Sequence, residues 1–175
     1  MDNIINGVKV VDLSGIDDFR GEFVKIYKKE DFSIEGIEWD VGEIYYSVSK
    51  KNVIRGMHFQ LPPYEHKKLV YVMSGSILDV LVDLRKKSKT YKKCMSVELK
   101  ENSKKAIYIP EGIAHGFKSL ENNTCVIYCV SGIYMKEYDT GIYWNSIGVD
   151  WDIENPIISE RDRKFVYLEE FNSPF

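Results

Sequence analysis

The stretch Ile77-Leu78-Asp79-Val80-Leu81-Val82-Asp83-Leu84, residues 77–84, has the composition of a buried β-strand. Apolar residues occupy both phases of its two-residue period, so one face points into a core and the other is at least partly covered. Similar short runs rich in Val, Ile, Tyr and Phe recur from about residue 41 to residue 134, broken by Gly, Pro, Asn and Lys-rich turns. This pattern predicts an all-β fold.

The predicted strands are short and closely spaced, which is typical of a jelly roll or a barrel. They are Glu43 to Ser49, Val53 to Phe59, Leu69 to Met73, Ile77 to Leu84, Met95 to Leu99, Ala106 to Ile109, Gly116 to Leu120 and Cys125 to Val130. Further strands are predicted over Val8 to Val11 and Glu22 to Tyr27. The terminal segments, including Trp144 and Trp151, are predicted to extend the same domain, which spans residues 1–175.

The composition is that of a globular protein. Of the 175 residues, 44% are hydrophobic and 29% are charged, and no apolar run approaches the ~18 residues of a membrane span. The net charge of -3 argues against nucleic acid or an anionic membrane as the main partner. The first ten residues lack a secretory signal, so a cytoplasmic protein with reduced cysteines is expected.

The three histidines, His58, His66 and His115, are the first candidates for catalytic or ligand-binding residues. His58 lies at the end of a predicted strand and His115 directly before one, and glycines flank both. Polar residues at the strand ends of a small barrel point into its mouth, where ligands bind. His66 follows two prolines and lies between Glu65 and Lys67, so it is expected to be a solvated loop residue.

The segment Pro110-x-Gly112-x-x-His115 is similar to the second motif of metal-binding cupins. Such a metal site also needs His-x-His followed by a carboxylate, because a transition metal requires several N or O ligands at one point. Here the corresponding positions read His58-Phe59-Gln60, without the second imidazole. The sequence therefore predicts no metal site.

A set of motifs occurs in order along about residues 5 to 165. Its first half is Arg20-Gly21-x-Phe23, Val53-Ile54-Arg55-Gly56-Met57-His58-Phe59-Gln60, Lys68-Leu69-Val70 and Asp79-Val80-Leu81-Val82-Asp83-Leu84-Arg85. Its second half is Ile109-Pro110-Glu111-Gly112-Ile113-Ala114-His115-Gly116-Phe117, Gly141-Ile142-x-Trp144-Asn145, Ile147-Gly148-Val149-Asp150-Trp151 and Ser159-Glu160-Arg161-Asp162. In these motifs the chain resembles the dTDP-4-dehydrorhamnose 3,5-epimerase family of metal-free cupins. The resemblance implies a cupin-type double-stranded β-helix, or jelly roll, with N- and C-terminal extensions.

The family inverts C3 and C5 of a nucleotide-linked 4-keto-6-deoxy sugar, so the resemblance implies an isomerase without a cofactor. Protons next to a keto group are acidic enough for an amino-acid base to remove. By the family match, His58 is that base and Asp162 orients it. Lys68 matches the group that stabilises the enolate at O4, and Tyr128 matches the acid on the opposite face of the sugar.

The resemblance also implies a set of substrate-binding residues. Arg55 and Arg161 match positions that bind the pyrophosphate, for which a guanidinium is suited. His115 matches a second active-site histidine, and Tyr134 matches an aromatic residue close to the sugar or the base. Gln60, at the end of its motif, is assigned to the same set.

The resemblance further implies a homodimer with shared sites. Arg20 and Phe23 match residues that reach the partner's site through an exchanged N-terminal strand.

The departures from the family lie at positions that bind the nucleotide: Glu43-Ile44-Tyr45-Tyr46-Ser47 stands in place of Gln-x-Asn-x-Ser, and Lys25 in place of Glu. Glu43 can accept a hydrogen bond from the exocyclic amine of cytosine or guanine. Glu43 and Tyr45 are therefore assigned to substrate binding, and the base stays open.

The predicted function is the conversion of dTDP-4-dehydro-6-deoxyglucose to dTDP-4-dehydrorhamnose, a step of dTDP-rhamnose and cell-surface polysaccharide biosynthesis. One alternative is a 3- or 5-epimerase acting on a CDP- or GDP-linked 4-keto sugar. A small change in pocket shape is enough to prevent inversion at one of the two carbons. A non-catalytic sugar-binding cupin would keep Arg55 and His115 but would need neither Tyr128 nor Asp162. A metal-dependent cupin oxygenase is the third alternative.

Overall fold

The computed structural model of the chain describes residues 5–34 and 36–175. The strands of this part are β1 (Lys9–Asp12), β2 (Gly15–Asp18), β3 (Gly21–Val24), β4 (Glu43–Ser49), β5 (Ile54–Gln60), β6 (Lys68–Ser74), β7 (Ser76–Asp83), β8 (Cys94–Lys100), β9 (Lys105–Ile109), β10 (Ile113–Ser119), β11 (Thr124–Val130) and β12 (Asp139–Gly141). One short helix, α1 (Lys29–Ile34), precedes β4. Two 3₁₀ helices, Trp144–Ser146 and Asp162–Lys164, lie in the C-terminal part.

Two five-stranded antiparallel sheets form the body of the fold, and β2 and β3 form a separate hairpin. The first sheet has the order β1-β9-β6-β11-β4, and the second has the order β12-β5-β10-β7-β8. The chain crosses from one sheet to the other at most of its connections between β5 and β11, which is typical of a jelly roll. The predicted all-β jelly roll is confirmed.

Strand β7 shows how the alternation of side chains places the core. Ile77 and Leu81 belong to the apolar core between the two sheets. Val80 and Val82, on the opposite face of the strand, belong to a second apolar cluster. Both faces of β7 are therefore covered, as predicted from its two apolar phases.

The outer face of each sheet is covered by one end of the chain. Trp144, Trp151 and Leu168 from the C-terminal part belong to the cluster on the second sheet. Phe32 of α1 and Trp39 belong to a third cluster, on the first sheet. Burying one such side chain contributes roughly 1.5–3 kcal/mol, so both extensions stabilise the jelly roll.

Two glycines allow β5 and β10 to approach closely. Gly56 has a φ of +133°, and a Cβ at this position would lie 2.5 Å from the Cα of Gly116. In the register of these antiparallel strands, His58 lies opposite His115, and a shift follows between His115 and Phe117. Such a bulge redirects side chains locally. The register of β5 and β10 therefore places His58 and His115 side by side.

Most predicted strands differ from the observed ones only at their ends. Larger differences occur over Glu22 to Tyr27, where β3 ends at Val24, and over Gly116 to Leu120, where β10 begins at Ile113. The sequence pattern predicts neither β2, β12 nor α1, because elements this short do not establish a period. Residues 1–4 and 35 of the predicted domain lie outside the described residues.

Candidate active site

A cavity of about 480 Å³ is lined by residues from both sheets and from the loops beside them. Strands β4, β6 and β11 of the first sheet and β5 and β10 of the second contribute to its wall. Of the residues predicted for the site, the cavity brings together Glu43, Tyr45, Arg55, His58, Gln60, Lys68, His115, Tyr128, Tyr134 and Arg161. A cavity of this size is in the range of small-molecule sites.

His58 and Asp162 form a close pair at the cavity wall. His58 lies in β5, and Asp162 begins the second 3₁₀ helix. The Nε2 atom of His58 lies 3.0 Å from Oδ1 of Asp162. The other carboxylate oxygen accepts a hydrogen bond from the backbone N–H of Gly56 at 3.2 Å, and the Asp162 N–H donates to Oγ of Ser159 at 3.1 Å. The carboxylate is therefore buried and held in place.

The surroundings of the pair keep Asp162 ionised and His58 neutral. Burial opposes ionisation of Asp162, but hydrogen bonds from His58 and Gly56 outweigh it and lower the pKa of Asp162 to about 2. Burial lowers the pKa of His58 below its ordinary 6.5; Asp162 opposes this shift, and the Arg161 and Lys68 cations add to it. A neutral imidazole beside a carboxylate is the state that a general base requires.

Arg161 connects this pair with Asp139 of β12. Its Nη2 atom lies 2.8 Å from Nε2 of His58, and its Nε donates to Oδ1 of Asp162 at 3.2 Å. Its Nη1 forms an ion pair with Asp139, and its side chain is 49% exposed. A guanidinium has five N–H donors, so the half-exposed Arg161 is suited to an anionic ligand.

Lys68 is a buried cation at the start of β6. Its Nζ donates to the backbone carbonyl of His58 at 3.3 Å. Burial lowers the pKa of Lys68 from 10.5 to about 8, while the carboxylates of Asp139 and Asp79 favour the protonated form. A buried ammonium group is well placed to stabilise negative charge that develops in the cavity.

Tyr128 and Tyr45 stack on each other. They are directly opposite residues of β11 and β4, and their ring centroids are 4.9 Å apart with an interplanar angle of 19°. Burial raises the pKa of Tyr128 above its ordinary 10, and burial with the nearby Glu43 and Asp139 raises the pKa of Tyr45 to about 12. Both hydroxyls therefore stay protonated at neutral pH. Tyr45, which the sequence assigns to nucleotide binding, lies against the predicted acid.

A second histidine–carboxylate pair lies next to Tyr128. Nε2 of His115 is 2.7 Å from Oδ2 of Asp79, and both side chains are buried. The His115 ring centroid lies 6.2 Å from that of Tyr128. The sequence reasoning missed Asp79, although its position in β7 has the same phase as the core residues Ile77 and Leu81. That phase indicates that Asp79 points between the sheets.

Gln60 connects two loops beside the cavity. Its Nε2 donates to the carbonyls of Tyr64 and Ile133 at 2.7 Å and 3.1 Å. Its Oε1 accepts a hydrogen bond from the N–H of Met135 at 2.6 Å. Gln60 lines the cavity, as expected of a substrate-binding residue, but its amide group is bonded to the backbone of the protein itself.

His66 is a loop residue, as predicted, but the prediction that it is solvated is wrong. His66 is half-buried and lines the cavity, and its Nδ1 lies 3.2 Å from Nε2 of Gln60. Lys67 points elsewhere, since its Nζ donates to the carbonyl of Glu38 at 3.0 Å. Alternate residues of an extended chain share a face. The spacing of His66 and Lys68 is therefore the signal that indicates a common orientation.

Glu43 and Arg55 are also held by neighbouring groups of the chain. Oε1 of Glu43 accepts a hydrogen bond from the backbone N–H of Tyr134 at 3.0 Å. Nε of Arg55 donates to Oγ of Ser49 at 3.0 Å, and its Nη2 donates to the carbonyl of Val48 at 3.2 Å. These contacts orient the carboxylate and the guanidinium at the cavity wall.

Arg20 and Phe23 do not line the cavity of their own chain. They lie in the β2–β3 hairpin, where Arg20 pairs with Asp18 at 2.6 Å and Phe23 is 59% exposed. Lys25 lines a separate cleft together with Lys28.

Among residues 5–34 and 36–175, no cluster of His, Cys, Asp and Glu is arranged to hold a metal ion, and no helix is long and apolar enough to span a membrane.

The family model described as dTDP-4-dehydrorhamnose 3,5-epimerase matches residues 2–170. The chain belongs to this family. The family's enzyme from Methanothermobacter thermautotrophicus is 38% identical to the chain over 171 residues, which cover 95% of this chain and 92% of the relative. This agreement confirms the predicted family and the predicted class of enzyme, an epimerase.

Solved structures of other epimerases have the same fold. The enzyme from Bacillus anthracis str. Ames, with TDP and PPi bound, matches with a TM-score of 0.92 and 33% identity, covering 96% of this chain and 98% of that one. A 3,5-epimerase from Legionella pneumophila Philadelphia 1, in complex with dTDP-4-keto-L-rhamnose, matches with a TM-score of 0.91 and 27% identity. That match covers 98% of this chain and 93% of the Legionella chain.

Proposed function

We propose that this epimerase converts dTDP-4-dehydro-6-deoxyglucose to dTDP-4-dehydrorhamnose by inverting C3 and C5. The observation that carries the proposal is the His58–Asp162 pair, 3.0 Å apart, at a cavity that also contains Lys68 and Tyr128. A base, a cation for an oxyanion and an acid are the groups that an enolate mechanism needs. Family membership supports the choice of substrate.

His58 removes the proton from the carbon next to the keto group. Because Nε2 of His58 faces Asp162, the substrate proton is taken by Nδ1. The electron pair of the broken C–H bond moves towards the 4-keto oxygen and gives an enolate. The ionised Asp162 stabilises the imidazolium that forms.

Lys68 and Tyr128 complete the inversion. The ammonium of Lys68 stabilises the enolate oxygen. Tyr128 donates its phenolic proton to the same carbon from the opposite face, and the enolate electron pair forms the new C–H bond. His58 and Tyr128 regain their starting protonation states by proton exchange with solvent.

The diphosphate is expected to bind Arg55 and Arg161, because two guanidinium groups suit its negative charges. Nη2 of Arg161 lies 2.8 Å from Nε2 of His58. A guanidinium only donates, so it competes with Asp162 for this nitrogen. Binding of the diphosphate to Arg161 would leave Asp162 as the partner of His58.

A homodimer is proposed to complete each site. The β2–β3 hairpin, with Arg20 and Phe23, pairs with no other strand in the described part of the chain. Strand β4 is an edge strand beside the cavity, and its Ile44 and Tyr46 are 67% and 70% exposed. An exposed apolar edge favours pairing with another chain. The hairpin of one subunit is proposed to bring Arg20 and Phe23 to the partner's cavity.

Thymidine diphosphate is the proposed nucleotide. Oε1 of Glu43 already accepts the N–H of Tyr134, so Glu43 has a use in the fold that does not depend on the base. This contact supports dTDP ahead of the CDP- and GDP-linked alternatives. The cytoplasmic location and the role in cell-surface polysaccharide synthesis stay predictions.

The proposal is tested by isotope exchange. The protein is incubated with dTDP-, CDP- and GDP-linked 4-keto-6-deoxy sugars in deuterated water, and NMR locates the deuterium. We expect deuterium at both C3 and C5 of the dTDP sugar. Deuterium at one carbon would indicate the single-centre alternative, and its absence from all three sugars would contradict an epimerase.

His58→Asn provides the matching variant for the base. It should abolish exchange at both carbons while dTDP affinity stays within a few-fold, because general-base catalysis is worth roughly 10²- to 10⁴-fold. Exchange at nearly the wild-type rate in this variant would exclude His58 as the base.

A further inference from the structure

The contact between Tyr45 and Tyr128 follows from the pairing of β4 with β11. The two strands pair in a regular antiparallel register along the whole of β4, and Tyr45 lies directly opposite Tyr128. Side chains of directly opposite residues lie on the same face of a sheet and contact each other. Because both tyrosines line the cavity, this is the face that points into the site. The strand register therefore brings the two rings together.

The two rings lie nearly face to face. Their centroids are 4.9 Å apart and their planes are inclined by 19°, so the Tyr45 ring covers one flat side of Tyr128. The ring of His115 approaches Tyr128 edge-on, at a centroid distance of 6.2 Å and an angle of 67°. Tyr128 is 8% exposed, whereas Tyr45 is 44% exposed. Tyr45 is therefore the outer ring of the pair and separates Tyr128 from solvent on that side.

This contact bears on the acid that completes the inversion. Proton transfer to carbon depends on the alignment of the donor with the reacting atom, so the position of the Tyr128 hydroxyl matters. Rotation about χ1 of Tyr128 moves that hydroxyl, and the ring of Tyr45 occupies space into which Tyr128 would otherwise move. Beyond burial, the attraction within an aromatic pair corresponds to roughly 2- to 10-fold in an equilibrium constant.

We propose that Tyr45 is a positioning residue for proton return, whose ring holds Tyr128 in the orientation from which the phenol protonates the substrate carbon. This inference rests on the proposed function. Tyr45 stands at one of the positions where the chain departs from the family pattern, so the aromatic contact is not part of that pattern. His58 still removes the substrate proton and Tyr128 still donates its own. Loss of the Tyr45 ring should therefore impair proton return more than proton removal.

The contact is tested without substrate by NMR of the tyrosine ring protons in the full-length protein. Protons above the face of an aromatic ring resonate upfield, so we expect upfield signals from Tyr128, which Tyr128→Phe assigns. Tyr45→Ile keeps an apolar side chain with a strand preference but has no ring. It should move the Tyr128 signals towards their ordinary positions, whereas Tyr45→Phe should leave them upfield. Unchanged Tyr128 signals in Tyr45→Ile would overturn the inference even if the protein is an active epimerase.

Kinetics in deuterated water test the positioning role. Wash-out of the substrate proton and net inversion are measured in the same sample, and their ratio separates proton return from proton removal. We expect Tyr45→Ile to lower the ratio of inversion to wash-out by roughly 2- to 10-fold, and Tyr45→Phe to retain it. A loss of folded protein would reduce both rates equally. An unchanged ratio in Tyr45→Ile, with an active wild type, contradicts the inference alone, whereas an inactive wild type contradicts the proposed function.

Tyr167→Ile is the matched control. Tyr167 is 53% exposed and pairs with Tyr143 at a centroid distance of 5.1 Å, but neither ring lines the cavity. Its replacement removes an aromatic contact of similar exposure and should leave the ratio unchanged; an equal fall would contradict a specific role of Tyr45. Calorimetric titration with dTDP separates nucleotide binding from positioning. Weaker dTDP binding by Tyr45→Ile with an unchanged ratio would overturn the proposal.

Discussion

Lys68→Met should stabilise the fold while it removes activity. The pKa of Lys68 falls from 10.5 to about 8 through burial, and its side chain is 8% exposed. A tenfold change in an equilibrium constant is worth about 1.4 kcal/mol, so the buried charge costs the folded state about 3 kcal/mol. Because the folded pKa lies below the unfolded one, this cost is fully present below about pH 8 and disappears as pH rises through 10.5.

The free energy of unfolding is measured in urea between neutral pH and about pH 10.5 for both proteins. We expect Lys68→Met to be more stable than the wild type at pH 7, by up to about 3 kcal/mol, and the difference to shrink at alkaline pH. Lys67→Met, at the neighbouring half-buried position, is the control for replacing a lysine side chain by methionine. A less stable Lys68→Met protein, or a difference independent of pH, would refute the electrostatic reasoning.

Four further outcomes are expected. Tyr128→Phe should retain wash-out of the substrate proton better than net inversion, and a parallel loss of both to the level of a His58 variant would exclude a distinct acid. Mixing Arg20→Ala chains with His58→Ala chains should restore activity through shared sites; no gain despite confirmed subunit exchange argues against sharing. Calorimetric titration of Glu43→Gln with dTDP, UDP, CDP and GDP should show unchanged tight dTDP binding, whereas a shift towards thymidine nucleotides would assign Glu43 to the base. In the pH profile, kcat/KM should fall on the acid side as His58 is protonated, below 6.5, and on the alkaline side near 8 as Lys68 loses its proton.

Local patterns in the sequence predict the fold because burial repeats along each strand. The two apolar phases of residues 77–84 indicate a strand covered on both faces, and the structure covers them with the inter-sheet core and the C-terminal segment. The close approach of β5 and β10 at Gly56 and Gly116 is an observation of the structure, which the glycines of the motifs allow. Short elements such as β2 and β12 carry too few residues for this kind of signal.

The candidate site depends on contacts that no local pattern contains. The family resemblance assigns roles to His58, Lys68, Tyr128 and Asp162, but the 3.0 Å approach of His58 and Asp162 arises only when the C-terminal segment packs beside β5. Their ionisation states follow from that burial, since desolvation and hydrogen bonds set a pKa only once neighbours are in place.

The all-β class, the family and the residue types available for proton transfer can be predicted from the sequence. The folded structure is needed to see that His66 lines the cavity, that Asp79 pairs with His115 and that the amide of Gln60 is bonded to two loops. This difference arises because the alternation of buried and exposed side chains along a strand is set by residues that are close in the sequence. Hydrogen bonds and desolvation depend instead on groups that are distant in the chain and meet only after folding.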